Sequence, residues 1–497
     1  MPRFFAVLRS SFLLLVVVSV GAQEPPERPQ NLASLLPEGT LLVVETDDLG
    51  GWAVKARESA LGRICSDPEM QAFLRPLHES VGKAIQSLTA LANPFAAVGL
   101  SWNDFGGIDV RRFGFAVVDL STQWSPLPDL VLTLQLRQGA DKAKKILANL
   151  QNAGAQFGLA VEAIEIRGRP VSHLQHEGLD LFTSAAGDRV ILTTRKTRME
   201  QLYAALDDGN AESLAASPRF RTILRHMEVD RRGLLVYADL ERGIEQIVSL
   251  LTRGRPPSQA EAARFLAVSG FDQLEALAVA DAPLGTGYRS EIAVTFRKKK
   301  GLLDLYDTGA ADHRFARHAP RNALLYGGEK LDLGRLWDRL AAFAVAVEPR
   351  AKEERDRVLA EAKETLGTDL RRDLLGSLGD QWGGYVAAPP GGGLIPDVVV
   401  FCSLRDRARA ERSVDALVAG LSGLARRERV AVQRRVAEFR GNKIHTLELT
   451  HRRDPVPIAP SWAFADDFVV VGLVPQSVKH ALMEKPSLES LPLFRQL

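Results

Sequence analysis

A chain of 497 residues, 46% apolar and 25% charged, has the make-up of globular domains and excludes a disordered or fibrous protein. Its 63 basic and 61 acidic side chains leave a net charge of +2, which excludes the strong positive field that nucleic-acid binding needs. Two cysteines, Cys65 and Cys402, are too few for a disulfide framework and read as unpaired core residues.

Residues 1–22 read as a signal peptide. Arg3 and Arg9 carry charge, Phe12 to Val20 is apolar, and Val20-Gly21-Ala22 supplies the small residues of a cleavage site before Gln23. That run is shorter than the about 20 apolar residues needed to cross a bilayer, and no later run is longer. The expectation is an exported protein, periplasmic or extracellular, with no transmembrane segment after signal cleavage; retention as an anchor is the alternative. Residues 23–30 form a proline-rich lead-in.

At roughly 150 residues per domain the length predicts about three domains. Residues 31–228 read as a first α+β repeat. A strand from Leu41 to Val44 leads through Asp48 into an amphipathic helix, and FGFAVVDL pairs with LVLTLQL as a hairpin. Strands follow at Val161 to Ile166, Val171 to Gln175 and Val190 to Thr194, with Arg167-Gly168 at a tight turn. Residues 229–306 read as a shorter strand-helix-hairpin module: Leu234 to Tyr237, Asp239, then LEALAVAD with YRSEIAVTF. Lys298, Lys299 and Lys300 close it as a solvated strand end, because no aromatic residues interleave them as stacking platforms.

Residues 307–318 read as a linker, and 319–497 as a second, C-terminally shortened α+β repeat. It opens with Leu324 to Tyr326 and Asp332. A charged run from Ala351 to Asp373 then reads as a solvated helix face, and WGGYVAA pairs with VVVFCSL. Asp48, Asp239 and Asp332 are placed to cap their helices by accepting first-turn amides. Hairpins joined by short turns imply antiparallel sheets, with helices covering one face of each; the fold class is α+β with internally duplicated units.

The duplication rests on matches in one order. Asp104-Phe105-Gly106-Gly107 through Gly114 reappears as Asp373 to Gly376 through Gly383, and Pro128-Asp129 reappears as Pro396-Asp397. Arg167-Gly168 recurs as Arg440-Gly441, Asp188 as Asp467, and Ser213-Leu214 as Ser487-Leu488. The separation stays near roughly 270 residues, drifting only as loop insertions would make it.

The stretches LLPEGTLLVVETDDL, GRICSDPEMQAFL, DLLGSLGDQWGGYVA and SWAFADDFVVVG resemble an exported bacterial family of unknown function. It is number thirty-three fifty-two in the domain-of-unknown-function series and is planctomycete-type. The resemblance implies export and a repeated α+β architecture. It brings no activity or catalytic residue with it.

No chemistry-bearing motif emerges. His173 and His176 fall on opposite sides of a strand, His445 and His451 lie far apart along one, and His313 and His318 sit in the linker. Gly391-Gly392-Gly393 and Gly285-Thr286-Gly287 lack the Lys-Ser/Thr and helix start of a phosphate loop. Asp207-Asp208 and Asp466-Asp467 fall at helix ends and turns. The expectation is no catalytic, cofactor-binding or metal residue and no cofactor. The function expected is non-enzymatic: a binding or envelope-associated structural protein, taking an unknown protein, glycan or apolar ligand at the inter-repeat cleft. The alternative is an extracytoplasmic hydrolase with a site built from loops of one repeat, which a histidine beside a nucleophile or two convergent carboxylates would favour.

Overall fold

The computed structural model describes residues 31–59, 63, 110–120, 127–156, 158–176, 179–227, 233–252, 256–284, 287–306, 309, 311–389, 395–427, 430–451, 454–455, 458–492 and 494. The signal peptide, the proline-rich lead-in, Cys65, Asp104 to Gly107, Gly285-Thr286 and Gly391 to Gly393 lie outside these residues. The chain forms two compact units, Met1–Ala263 with Gln273–Lys298, and Arg264–Asp272 with Lys299–Leu497. The three domains expected from length are two because the short module joins the first unit.

In chain order the first unit contains α1 (Leu32–Leu35), β1 (Leu42–Thr46), α2 (Leu49–Glu58), β2 (Val110–Asp119), β3 (Asp129–Leu136) and α3 (Ala140–Gln156). The strands β4 (Ala160–Ile166), β5 (Arg169–His176), β6 (Leu179–Ala186) and β7 (Arg189–Thr193) follow, then α4 (Lys196–Asp208) and α5 (Pro218–Arg225). The short module adds β8 (Leu234–Asp239), α6 (Leu240–Leu251), α7 (Pro256–Ser269), β9 (Leu274–Leu284) and β10 (Gly287–Phe296), α7 running across the division between the units. All ten strands form one antiparallel sheet in the order β10-β9-β8-β1-β2-β3-β7-β6-β5-β4. The join is β1 on β8, with Leu42 opposite Ala238 and Val44 opposite Val236. The shorter module at 229–306 therefore continues the first sheet.

Helices cover both faces of that sheet, not one. Alternation in each strand sends side chains to opposite sides. Val43, Ala116, Val131 and Ile191 meet Leu32 of α1, Met199 and Leu202 of α4, and Phe220 and Ile223 of α5 on one side. Leu132, Leu134 and Leu192 meet Ala143, Ile146 and Leu150, spaced three and four apart on α3, on the other. Each such fully buried aliphatic side chain contributes about 1.5–3 kcal/mol.

The second unit contains β11 (Leu325–Lys330), α8 (Leu333–Val347), α9 (Ala351–Leu366), β12 (Leu378–Ala387), β13 (Asp397–Leu404), α10 (Arg407–Arg427) and β14 (Val430–Phe439). Then come β15 (Asn442–His451), the two-residue β16 (Asp454–Pro455), β17 (Ser461–Phe464), β18 (Phe468–Gly472) and α11 (Pro475–Leu482). Its antiparallel order is β11-β12-β13-β18-β17-β15-β14, with β16 beside β15. Strand for strand this is the connectivity β1-β2-β3-β7-β6-β5-β4, with α10 in the place of α3 and α11 in the place of α4. Details repeat as well. Pro37 bridges Ser213, and Pro320 bridges Ser487. The turns after β4 and β14 hold both residues at positive φ, Arg167 (51°) with Gly168 (74°) and Arg440 (50°) with Gly441 (75°).

The linker expected at 307–318 is instead core from its middle onward. Arg314–His318 forms a 3-10 turn whose Phe315 is 1% exposed and stacks on Phe401 with ring centroids 5.2 Å apart. The Phe315 ring accounts for this, because so large an apolar side chain is more stable buried than in water.

One difference separates the frames. β1 is an interior strand, flanked by β2 and β8. β11 occupies the equivalent place at a sheet edge, paired with β12 alone among the described strands.

Candidate functional site

The three aspartates singled out as caps do cap. Asp48 accepts the amide of Gly51 at 3.0 Å, Asp239 that of Arg242 at 3.0 Å, and Asp332 that of Arg335 at 2.9 Å. Each also takes an arginine: Arg137 on Asp48, Arg219 on Asp239 and Arg405 on Asp332. Arg137 and Arg405 sit at the same place, one residue beyond β3 and β13. Burial works to raise the Asp332 carboxyl, but the Arg335 amide and the Arg405 guanidinium outweigh it and hold the group below its usual range. These carboxylates are engaged in fastening strand to helix.

A second pair of aspartates opens the equivalent strands β3 and β13. Asp129 takes Arg198 of α4, whose Nη2 and Nε donate to Oδ2 at 2.7 and 3.2 Å. Asp397 has a fully buried side chain, and its Oδ2 meets Nδ1 of His480 on α11 at 2.6 Å and accepts the Tyr385 hydroxyl at 3.2 Å. Its Oδ1 makes no hydrogen bond. Burial and then the neighbouring Asp397 push the Tyr385 hydroxyl well up, so Tyr385 stays a donor. Lys485, behind α11, donates to the His480 carbonyl; its amine is lowered by burial to about 8, with Asp397 acting the other way. A buried carboxylate that fixes an imidazole is the arrangement that orients a general base in hydrolases.

A small cavity lies on the α1 side of the first sheet, lined by Glu45, Arg112, Gln135 and Arg189 beside Leu32 and Phe113. The Ala33 amide donates to Glu45 at 3.2 Å, Arg112 to Gln135 at 3.2 Å, and Gln135 to Asp188 at 3.0 Å. Burial lowers the pKa of both Arg112 and Arg189. Its volume of about 20 Å3 holds roughly one water, against the several hundred Å3 of a small-molecule site. The second unit fills this place with rings. Phe401 stands fifth in β13 where Thr133 stands fifth in β3, and Phe468 opens β18 where Arg189 opens β7. Glycine makes room in both: a Cβ on Gly114 would lie 2.7 Å from Leu32, and one on Gly383 2.7 Å from Phe315.

The remaining residues singled out in the sequence are scattered. His173 meets Asp180 at 2.7 Å and stacks on Phe182, while His445 accepts from Arg434 and stacks on Trp462. His318 is packed among Phe401 and Phe468, and burial lowers its imidazole to about 4. His313 sits in the left-handed region beside Tyr326. Cys402 is buried and free, its thiol pushed up by burial to about 12. Asp207 and Asp208 end α4 opposite Arg169 and Arg167, and Asp467 pairs with Arg314. Lys298 to Lys300 are exposed just beyond β10. None of the α9 side chains is buried.

Among the described residues, no three His, Cys, Asp or Glu side chains converge as metal ligands, and no helix is long and apolar enough to cross a membrane. Asp397 with His480 escaped sequence reasoning because 83 residues separate the partners. The available signal was Pro-Asp opening the same strand in both repeats, facing a helix that carries Arg198 in one and His480 in the other. Comparison of the chain with models of known protein families, with curated proteins and with solved structures finds no match.

Proposed function

We propose that this chain is an exported, envelope-associated protein of non-enzymatic function that binds a protein partner by accepting a strand at the open edge of β11. The observation that carries the reading is the difference between two equivalent strands. β1 buries Val43 and is covered on its far side by β8, whereas β11 ends its sheet among the described residues, with Leu324 72% and Leu325 65% exposed. An uncovered sheet edge with apolar side chains beside it is what an extended peptide recognises, through main-chain hydrogen bonds and alternate side chains.

The charged groups support the same reading, since the repeated aspartates fasten helices to sheets. The export signal in residues 1–22, descent of both units from one duplicated ancestor, and membership of the resembled family belong to this proposal. They rest on the sequence patterns together with the repeated strand order.

The test uses the β8 segment itself, Gly233–Asp239, as a fluorescent peptide titrated into the full chain. Saturable binding is expected, and its loss in a Leu324→Lys, Leu325→Lys double variant that unfolds at the wild-type temperature. Absence of binding, or binding indifferent to the two lysines, overturns the proposal.

One observation favours a second reading, the extracytoplasmic hydrolase: the Asp397 carboxylate at 2.6 Å from His480. Turnover of ester or amide model substrates that disappears in His480→Ala would select it.

A further inference from the structure

We propose that the second unit is closed by a proton-dependent clip, His480 on Asp397, where the first is closed by a permanent one, Arg198 on Asp129, so that rising pH loosens α11. The two clips occupy one place in the repeated frame. Each aspartate opens the third strand of its frame, and Arg198 and His480 stand on the helices that directly follow β7 and β18, the sheet neighbours of those strands. The Asp129–Arg198 pair is 12% exposed on both sides, and a guanidinium is a cation with no titration near neutrality. Asp397 is sealed completely, and a carboxylate removed from water needs a cation beside it. Histidine supplies that cation on the acid side of neutrality and withdraws it on the alkaline side. The contact then loses its ion-pair attraction and keeps only a neutral N–H donating to the carboxylate.

Among the ionisable groups around the clip, Lys485 supplies a second cation that Asp397 feels. Tyr385 on β12 remains a neutral donor to Asp397. Lys485 approaches from the segment behind α11, and its amine, lowered by burial to about 8, gives up its proton as pH rises through that value. His318, on the 3-10 turn that faces Ala481, is held neutral near pH 7 by burial. Lys479 on α11 turns to the Phe439 ring instead, 6.0 Å from its centroid. Asp467 is paired with Arg314. Behind α11, the chain is tied down by the Arg321 amide on Pro486 and the Leu488 amide on Ala319, both at 3.0 Å, so loosening would reach these contacts as well.

Hydrogen–deuterium exchange of the full chain tests this, read by mass spectrometry and corrected for intrinsic chemical rates. Between about pH 5.5 and about pH 8 the protection of 475–482 is expected to fall about tenfold, while that of 196–208 changes less than about twofold. His480→Arg should make α11 as indifferent to pH as α4. His480→Gln, which keeps a donor without charge, should show the low protection at both pH values. Equal protection of wild-type α11 at the two pH values, or an undiminished fall in His480→Arg, overturns the proposal.

Discussion

Arg405 donates through Nη2 to Asp332 at 2.8 Å while the same carboxylate caps α8, and Arg137 stands on Asp48 in the same way at the start of α2. One short polar device thus ties the first strand, the first helix and the third strand of each frame. Asp332→Ala should lower stability by about 1–2 kcal/mol, the cost of a lost cap, and Asp332→Asn by less because the amide oxygen still accepts. Arg405→Ala, which removes a partly exposed ion pair, should cost under about 1 kcal/mol. Urea unfolding of the three variants checks the ranking. Because the Asp332 carboxyl is lowered in the folded protein, its contribution is present above the ordinary carboxylate range and is lost as pH falls through the folded value.

Gly114 and Gly383 seat a residue from the turn ahead of each frame, Leu32 in one and Phe315 in the other. Gly114→Ala and Gly383→Ala should each cost about 1–3 kcal/mol by overpacking. Alanine at Gly423, where a Cβ meets nothing within 4 Å, should be neutral or slightly stabilising on the helix α10. Thermal unfolding of the three proteins decides this.

The turns at Arg167-Gly168 and Arg440-Gly441 hold arginine where asparagine fits better. A two-residue hairpin turn with both φ positive prefers Asn-Gly. Arg167→Asn and Arg440→Asn are each expected to gain about 0.5–1 kcal/mol, since side chains other than glycine, asparagine or aspartate strain at positive φ. A decrease in the urea midpoint for both would refute the turn assignment.

His318 should make the second unit sensitive to acid. Its imidazole is lowered to about 4 by burial, with Arg317 acting in the same direction. The unfolded chain therefore binds a proton that the folded chain refuses, so the destabilising effect of His318 is absent above about pH 6.5 and grows as pH falls from there towards 4. His318→Leu should flatten the unfolding midpoint across that window. An unchanged slope would place the acid-sensitive group elsewhere.

The elements that could be read in the sequence are those whose signal is local. The capping aspartates, the hairpins β2–β3, β9–β10 and β12–β13, and the two Arg-Gly turns all declare themselves within a few residues. β6 did not, because LDLFTSAA carries Thr183 and Ser184 to the interior at 1% and 0% exposure, where a strand pattern calls for apolar residues. The union of ten strands, the burial of Phe315 in an expected linker and the clip of His480 on Asp397 all depend on contacts between distant segments. Hydrophobic rhythm fixes which side of a strand faces inward; it does not name the neighbour.

The open edge of β11 is best tested at its own amides. Exchange of the backbone amides of 325–330 should slow at alternate residues when the Gly233–Asp239 peptide is added, as a new antiparallel ladder forms on the side away from β12. Exchange rates unchanged by saturating peptide, with the strand as open as before, would contradict the account.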